Sequence, residues 1–146
     1  MSCHLEDERP VVIGVEARGP RGSMAGRVVF EHPAGDDESW PLALRSLESD
    51  LHGALKRERP SAVVVRSLNF HNRQKVGVVR PHYQVEGVLL LVAGQHVGLV
   101  EALDGKSIGR VARSSWEAAK AEAAVLGKDR DAAAAALAAL ILAGEA

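Results

Sequence analysis

The stretch "SAVVVRSL", residues Ser61–Leu68, decides the fold class of this chain. A run of β-branched residues without polar alternation is typical of a strand that lies inside a sheet with both faces covered. A helix is predicted before it, because leucines recur at three- and four-residue spacing from Pro41 to about Arg59, and Pro60 ends the pattern. The chain therefore supplies a helix and then a central strand.

The segment after the central strand continues the alternation of helix and strand. A polar loop follows it, residues 82–95 have helical spacing, and "VGLVEAL", Val97–Leu103, predicts a further strand. The next stretch, "GKSIGRVAR", Gly105–Arg113, predicts a connecting loop. Strands that alternate with helices favour an α/β fold.

Two β-branched stretches lie nearer the amino end. They are "VVIGVE", Val11–Glu16, and "GRVVFEH", Gly26–His32, with Gly- and Pro-rich turn material between them. Together they predict a hairpin that precedes the first helix. Residues 1–10 are polar and acidic and are predicted to be flexible, so a single domain is expected over residues 11–146.

Two helices are predicted at the carboxyl end. The first begins with Ser114 or Ser115 as its cap and ends on Gly127. The second is rich in Ala and Leu, has Asp129 or Asp131 as its cap, and runs to about residue 142. The order of elements indicates a mixed β-sheet flanked by helices on both faces.

Composition excludes several classes of protein. Cys3 is the only cysteine, so no intramolecular disulfide can form and a reducing cytoplasm is the expected compartment. The polar start does not resemble a signal peptide, and no apolar stretch has bilayer length, so no membrane partner is expected. The six histidines lack the spacing of a metal site.

Charge is uneven along the chain, although its formal net value is only −1. Between His52 and Gln84, seven Lys and Arg residues stand against one acid, Glu58, which gives this segment a net charge of +6. Such a segment is either an ordinary solvated surface or a basic patch for a polyanion. Charge alone leaves both interpretations open.

The element order and four local stretches resemble the RuvC family of Holliday-junction resolvases, which belongs to the RNase H-like superfamily. "VVIGVE" is similar to the family's opening strand, which ends in its first catalytic acid, and Glu16 stands there. "RPSAVVVRSLNFHN" is similar to the strand with a catalytic glutamate, and Arg66 stands at that position. "QVEGVLLLVAGQHVGLVEALDGKSIGRVA" resembles the next helix, strand and loop, and "GKDRDAAAAALAALILA" resembles the closing acidic motif.

The resemblance implies an RNase H-like fold with a degenerate nuclease site. If Asp131 matches the second acid of the closing motif, Lys128 replaces the first; in the other register, Ala134 replaces the second. Such sites hold Mg²⁺ or Mn²⁺ between several carboxylates, and Arg66 places a permanent cation among them. Glu16 and Asp131 are then remnant catalytic residues, which would bind metal only in an active enzyme, and no cofactor is expected otherwise. Arg66 is expected to pair with Glu16 or Asp131.

The resemblance leads first to a pseudo-nuclease that binds branched or structured DNA without cleavage, as a member of a recombination or repair complex. Its expected DNA contacts are Arg66, Phe70, Arg73, Lys75, Arg80 and Lys106. Phe70 either stacks on a base or anchors its loop against the sheet. A homodimer through the over-apolar helix of residues 84–94 is also implied, although burial in the core explains that helix nearly as well.

Two other functions are expected alternatives. One is an active, Mg²⁺- or Mn²⁺-dependent junction endonuclease with a rearranged site built from Glu16, Asp131 and a third acid, Asp129 or Glu101. The other is a dimeric protein-interaction module that has no nucleic-acid role.

Overall fold

The structure is a computed structural model that describes residues 1–6, 9–33, 39–67 and 76–144. Its strands are β1 (Ser2–Glu6), β2 (Arg9–Arg18), β3 (Ala25–Pro33), β4 (Val63–Arg66) and β5 (Val100–Leu103). Its helices are α1 (Trp40–Glu58), α2 (Val76–His96), α3 (Gly105–Val111), α4 (Trp116–Ala123) and α5 (Arg130–Leu142).

The strands form two ladders that Met1 joins. β1, β2 and β3 pair antiparallel in that order, and β4 pairs parallel with β5. The Met1 nitrogen donates to the Val64 carbonyl at 2.7 Å, and the Arg66 N–H donates to the Met1 carbonyl at 2.8 Å. Met1 thus bonds to both neighbours of Val65, which is the hydrogen-bond pattern of parallel strands. β1 therefore runs in the same direction as β4, and β2 runs in the opposite direction.

Helices cover both faces of these strands. On one face, side chains of β2, β3 and β4 such as Val12, Phe30 and Val65 pack against α1 and α2. On the other face, Val64 packs against α3, α4 and α5. The predicted mixed α/β arrangement with helices on both faces is therefore confirmed. No helix in the described parts of the chain has the length and apolar character needed to cross a membrane.

Two elements differ from the sequence-based expectation. Residues 2–6 form strand β1, although their composition predicts a flexible terminus outside the domain. The predicted loop over Gly105–Arg113 is wrong, because Asp104 caps helix α3 by accepting a hydrogen bond from the Ser107 N–H at 2.7 Å. Sequence patterns do not predict either element, because β1 has polar composition and α3 contains two glycines that lower its helix propensity.

The capping alternatives at the carboxyl end are resolved by hydrogen bonds. Ser115 caps α4 by accepting from the Ala118 N–H at 3.1 Å. Asp129 caps α5 by accepting from the Ala132 N–H at 2.8 Å. Both caps satisfy backbone donors that have no partner within the helix, and they fix where each helix begins.

Candidate functional site

Arg66 is the last residue of β4, and its guanidinium lies between β4 and the start of α5. Its Nε lies 3.4 Å from Oδ2 of Asp131, which belongs to the first turn of α5. The Arg66 side chain is only 15% exposed, and its Nη1 donates to the Ser67 carbonyl at 3.1 Å. Its Nε makes this ion pair without a well-aligned hydrogen bond. Of the two partners expected for Arg66, the structure has Asp131.

Trp116 completes this site from the first turn of α4. The Arg66 Cζ lies 5.2 Å from the centre of the Trp116 ring, and the Lys120 Nζ lies 4.9 Å from it. Both separations are typical of cation–π contacts. Gly105 makes room for the ring, since a Cβ at that position would lie 2.7 Å from Trp116 Cδ2. Two cations therefore flank one aromatic ring at the carboxyl end of β4.

The other expected DNA contacts are distributed around this end of the sheet or lie outside the described residues. Lys106 follows Gly105 at the start of α3 and is exposed. Arg80 is exposed near the start of α2, which begins beyond the carboxyl end of β4 and returns towards the start of β5. The remaining three, Phe70, Arg73 and Lys75, belong to residues 68–75, outside the described part of the chain.

Glu16 lies at the opposite end of the strands from Arg66. Its carboxylate contacts Arg18 and lies 3.5 Å from Arg27 Nε, while Nη2 of the same Arg27 bonds to Glu58 at 2.6 Å. Glu58 closes α1, just before the chain enters β4. The expected convergence of Glu16 with Asp131 is therefore wrong, because β2 runs against β4 and carries Glu16 to the amino end of that strand.

The charges around Glu16 hold the neighbouring carboxylate ionised. Burial works to raise the pKa of Glu58, but the charge of Arg27 and the hydrogen bond from Arg57 outweigh it and lower that pKa below its usual value. Glu16 and Glu58 are thus members of an arginine-rich ion-pair group at the amino end of β4.

The third acids considered for an active enzyme do not join Asp131 either. The Asp129 carboxylate accepts the capping hydrogen bond from Ala132. Glu101 is exposed on β5, level with Val64 in the parallel ladder. Lys128 is exposed in the turn before the Asp129 cap, and Ala134, the alternative position of the second acid, is fully buried in α5.

The described residues do not fit a pair of divalent cations. Such a pair needs several carboxylates to offset its charge. Within residues 1–6, 9–33, 39–67 and 76–144, no three His, Cys, Asp or Glu side chains come together as a metal site. At the carboxyl end of β4, Asp131 instead faces the guanidinium of Arg66.

Sequence reasoning missed two features of this end of the sheet. Trp116 and Lys120 are four residues apart, the spacing at which helical side chains meet, so their contact had a sequence signal. The acidic run "LEDE", Leu5–Glu8, begins at the end of β1, which is the strand that follows the direction of β4. Asp7 and Glu8 of that run lie outside the described residues.

Comparison with known proteins gives structural neighbours only. Neither a protein-family profile nor any curated protein sequence matches the chain. The structure of Thermus thermophilus RuvC is similar with a TM-score of 0.62 and 18% identity, over 96% of this chain and 91% of that one. Thermus thermophilus RuvC in complex with a Holliday junction substrate is similar with a TM-score of 0.57 and 20% identity, over 91% and 84%. The chain therefore has the RNase H-like α/β fold in the form found in RuvC.

Proposed function

We propose that this protein binds branched or structured DNA at the carboxyl end of β4 and does not cleave it. The observation that carries the proposal is the ion pair between Arg66 and Asp131 at the end of the central strand. Support for the ligand comes from the RuvC neighbour whose structure contains a Holliday junction substrate. Further support comes from the cationic side chains around the same end of the sheet.

The charge of this site disfavours cleavage of DNA. Hydrolysis of a phosphodiester by two metal ions requires anionic ligands that hold the ions about 3.5–4 Å apart. A guanidinium stays protonated at every accessible pH, so Arg66 repels a divalent cation and occupies the nearest carboxylate. This arrangement favours binding of a phosphate over binding of a metal ion.

Cationic side chains at this end of the sheet favour DNA binding. Lys106 and Arg80 are exposed on the two sides of this end of the sheet, and Arg66 and Lys120 flank Trp116 between α4 and β4. Lysine and arginine bind phosphates and release condensed counterions, which makes the affinity fall steeply with salt. Trp116 already contacts both of these cations, so its role is to hold Arg66 in place.

We also propose that the protein acts as a homodimer that uses the exposed face of α2. Tyr83 and Leu91 project from this helix with half or more of their surface exposed, and Gly87 lies between them on the same face. Residues separated by four along a helix share a face, so these positions form one stripe. Because Gly87 has no side chain, two copies of the helix can approach closely there. The apolar side chains on either side of it would then pack across the interface.

The test of DNA binding is fluorescence anisotropy with a labelled four-way junction and a matched linear duplex at two salt concentrations. We expect tighter binding to the junction and an affinity that falls as salt rises. The double variant Arg80→Ala/Lys106→Ala should weaken binding by about tenfold or more and reduce the salt slope by about two, because two phosphates are no longer neutralised. Arg57→Ala is the matched control, since Arg57 is exposed at the other end of β4.

Incubation of the same protein with the junction and Mn²⁺ distinguishes a DNA-binding protein from an active endonuclease. We expect no nicked product. Nicking that Asp131→Asn abolishes would contradict the proposal and would establish an active endonuclease; the acidic run that begins at the end of β1 is the feature that favours such an enzyme. Binding that is absent at low salt would leave the protein-interaction module.

A further inference from the structure

Strand β3 forms an edge of the antiparallel ladder. Among the described strands it pairs only with β2, and it lies last in the order β1–β2–β3. In an antiparallel pair, about half of the backbone N–H and C=O groups of an edge strand point away from its partner. Such groups are a template on which another extended chain can pair.

Side chains in the first half of β3 differ between the two faces of the sheet. Arg27 lies on the face covered by α1, because its Nη2 bonds to Glu58 of that helix at 2.6 Å. Val28 is 51% exposed and lies opposite Val15, which packs with α5 on the other face. A shift in register then leaves Val29 without a partner residue on β2. This part of the edge therefore offers charge on one face and apolar surface on the other.

Two covered carboxylates hold three exposed arginines beside this part of β3. Glu16 contacts Arg18 and lies 3.5 Å from Arg27 Nε. Glu58 bonds to Arg27 at 2.6 Å and lies 3.3 Å from Arg57 Nε. The two carboxylate side chains are 14% and 11% exposed, whereas those of Arg18, Arg27 and Arg57 are 69%, 57% and 63% exposed. The acids thus lie underneath, and the cations form the surface.

The carboxylates position the arginines without neutralising the surface. A guanidinium has several N–H donors, and contact with one carboxylate uses only some of them. Arg57 also extends towards the edge strand, since its Nη2 lies 3.5 Å from the Val29 carbonyl. Lys56 and Arg59 are exposed next to Arg57 and Glu58 in the chain, so five cations stand against two acids, with a net charge of +3.

We propose that the edge of β3 binds an extended segment of a partner protein in which acidic and apolar residues alternate. Added beside β3, such a segment directs its acidic side chains to Arg27 and Arg57 on the α1 face and its apolar side chains to Val28 on the other face. The arginines repel a strand that carries cations and thereby select an acidic one. Glu31, exposed farther along β3, confines the acidic positions to the part of the edge that holds the arginines.

The partner is a polypeptide and not a nucleic acid, because the edge offers backbone groups as well as charge. Backbone groups of an edge strand pair with another main chain and have no counterpart in a DNA duplex. The carboxylates of Glu16 and Glu58 also lie among the arginines, whereas a surface for a phosphate backbone has cations clustered together. This surface lies at the other end of β4 from the proposed DNA site, so the two can be tested separately.

The test uses a fluorescein-labelled peptide of three Glu-Val pairs with both ends blocked. One control peptide has glutamine in place of glutamate, and another has proline at two adjacent central positions. We expect the glutamine peptide to bind about fivefold more weakly, because its ion pairs are lost. The proline peptide should not bind, because N–H donors are removed whichever set faces β3. Hydrogen exchange should slow at the amides of Arg27–Phe30 when the first peptide is bound.

Two variants test the site within the folded protein. Arg57→Ala and Val28→Glu should each weaken peptide binding about fivefold, the first by removing a cation and the second by placing an acid at the apolar contact. Arg57→Ala should leave binding of the four-way junction unchanged. Arg45→Ala, an exposed change elsewhere on α1, should leave binding of the peptide unchanged.

The same measurements show whether something else occupies the edge. Equal binding of the glutamine or proline peptide would overturn the proposal in favour of non-specific adsorption. Displacement of the peptide by the junction would overturn it by placing the peptide on the DNA surface. Protection of Arg27–Phe30 without peptide, rising with protein concentration, would assign the edge to a second copy of the chain instead.

Discussion

Arg66 shows how one side chain redirects the chemistry of a site. Its charge cannot be removed by deprotonation, so three neighbours compensate it: Asp131, the Ser67 carbonyl and the ring of Trp116. The cation is thereby held at the end of the central strand, with most of its surface covered. A phosphate approaching this end meets a positioned guanidinium instead of a cluster of carboxylates.

Removal of the Asp131 charge tests this compensation. Asp131→Asn should destabilise the fold by about 1 kcal/mol, because a largely covered cation loses its only acidic partner among the described residues while the exposed part of Asp131 limits the effect. Urea denaturation of the two proteins measures the difference. Glu117→Gln, at a carboxylate that is mostly exposed, should change stability by less than half as much. Equal effects would show that Arg66 does not depend on Asp131.

The ion pair between Arg21 and Glu122 makes stability depend on pH. Arg21 Nε and Nη2 bond to the two carboxylate oxygens at 2.6 and 2.8 Å, and Nη2 also donates to the Ala112 carbonyl at 2.7 Å. The hydrogen bond from Arg21 holds the pKa of Glu122 below its usual value of 4.5, against the opposing effect of burial. The unfolded chain therefore takes up a proton at higher pH than the folded protein.

This pKa direction fixes the sign of the expected result. The contribution of Glu122, about 1 kcal/mol for a paired and partly exposed carboxylate, is complete above pH 4.5 and is lost as the pH falls through the folded-state pKa. Glu122→Gln should therefore be less stable than the parent protein at pH 7 and approach it at pH 3. Denaturation curves across this range provide the test. A constant difference would contradict it.

At the scale of elements, α3 shows why a helix can form against its own composition. Gly105 and Gly109 lower its intrinsic propensity, but each allows a close contact. A Cβ at Gly105 would meet the Trp116 ring, and one at Gly109 would lie 2.8 Å from the Trp116 nitrogen. The helix is stabilised by its Asp104 cap and by packing on α4. The two glycines of α3 are therefore explained by its close packing on α4 and not by helix propensity.

Exchange of Gly105 for alanine should disturb the site through Trp116. Gly105→Ala should cost about 2 kcal/mol, because the added methyl group meets the rigid indole ring. It should also change the near-ultraviolet circular dichroism of Trp116. Gly53→Ala is the matched control in α1, where the added methyl group meets nothing within 4 Å, and it should stabilise the protein by up to about 1 kcal/mol. A similar sign for both variants would contradict the packing argument.

The sequence predicted the order of elements after β1 except for α3, and it named Asp131 as one of two partners of Arg66, because periodic apolar residues and caps are local signals. It did not place Glu16 correctly. "VVIGVE" has the composition of an opening strand, but β1 takes that position through backbone bonds of Met1 to β4, which leave no mark in the side-chain pattern. Strand direction, and with it the location of Glu16, depended on that pairing.

At the scale of the whole molecule, the two ends of the sheet carry different groups of charged side chains. Arg66, Lys106 and Trp116 gather where β4 and β5 end, whereas Glu16 and Glu58 lie where β4 begins. The exposed stripe of α2 runs between these ends on the outer surface. The proposed DNA surface and the proposed dimer stripe therefore meet at Arg80, which lies one turn before Tyr83 on the same face of α2.

The dimer is tested by a change in α2. Leu91, with 62% of its surface exposed, should tolerate Leu91→Glu with little loss of stability, and the variant should be monomeric where the parent is dimeric. Multi-angle light scattering across a concentration series measures the mass. Val125→Glu is the control, since Val125 is 69% exposed on a different surface. A parent protein that is monomeric at all concentrations would contradict the proposed interface.

The burial of α5 has a consequence for hydrogen exchange. Residues 132–138, all alanine except Leu137, are at most 4% exposed, so this helix is covered around its whole circumference and not on one face. β2 and β4 cover one side, and α3 and α4 cover the other. A helix enclosed in this way cannot be released without removing a layer. Its amides should therefore exchange with deuterium only when the whole domain opens.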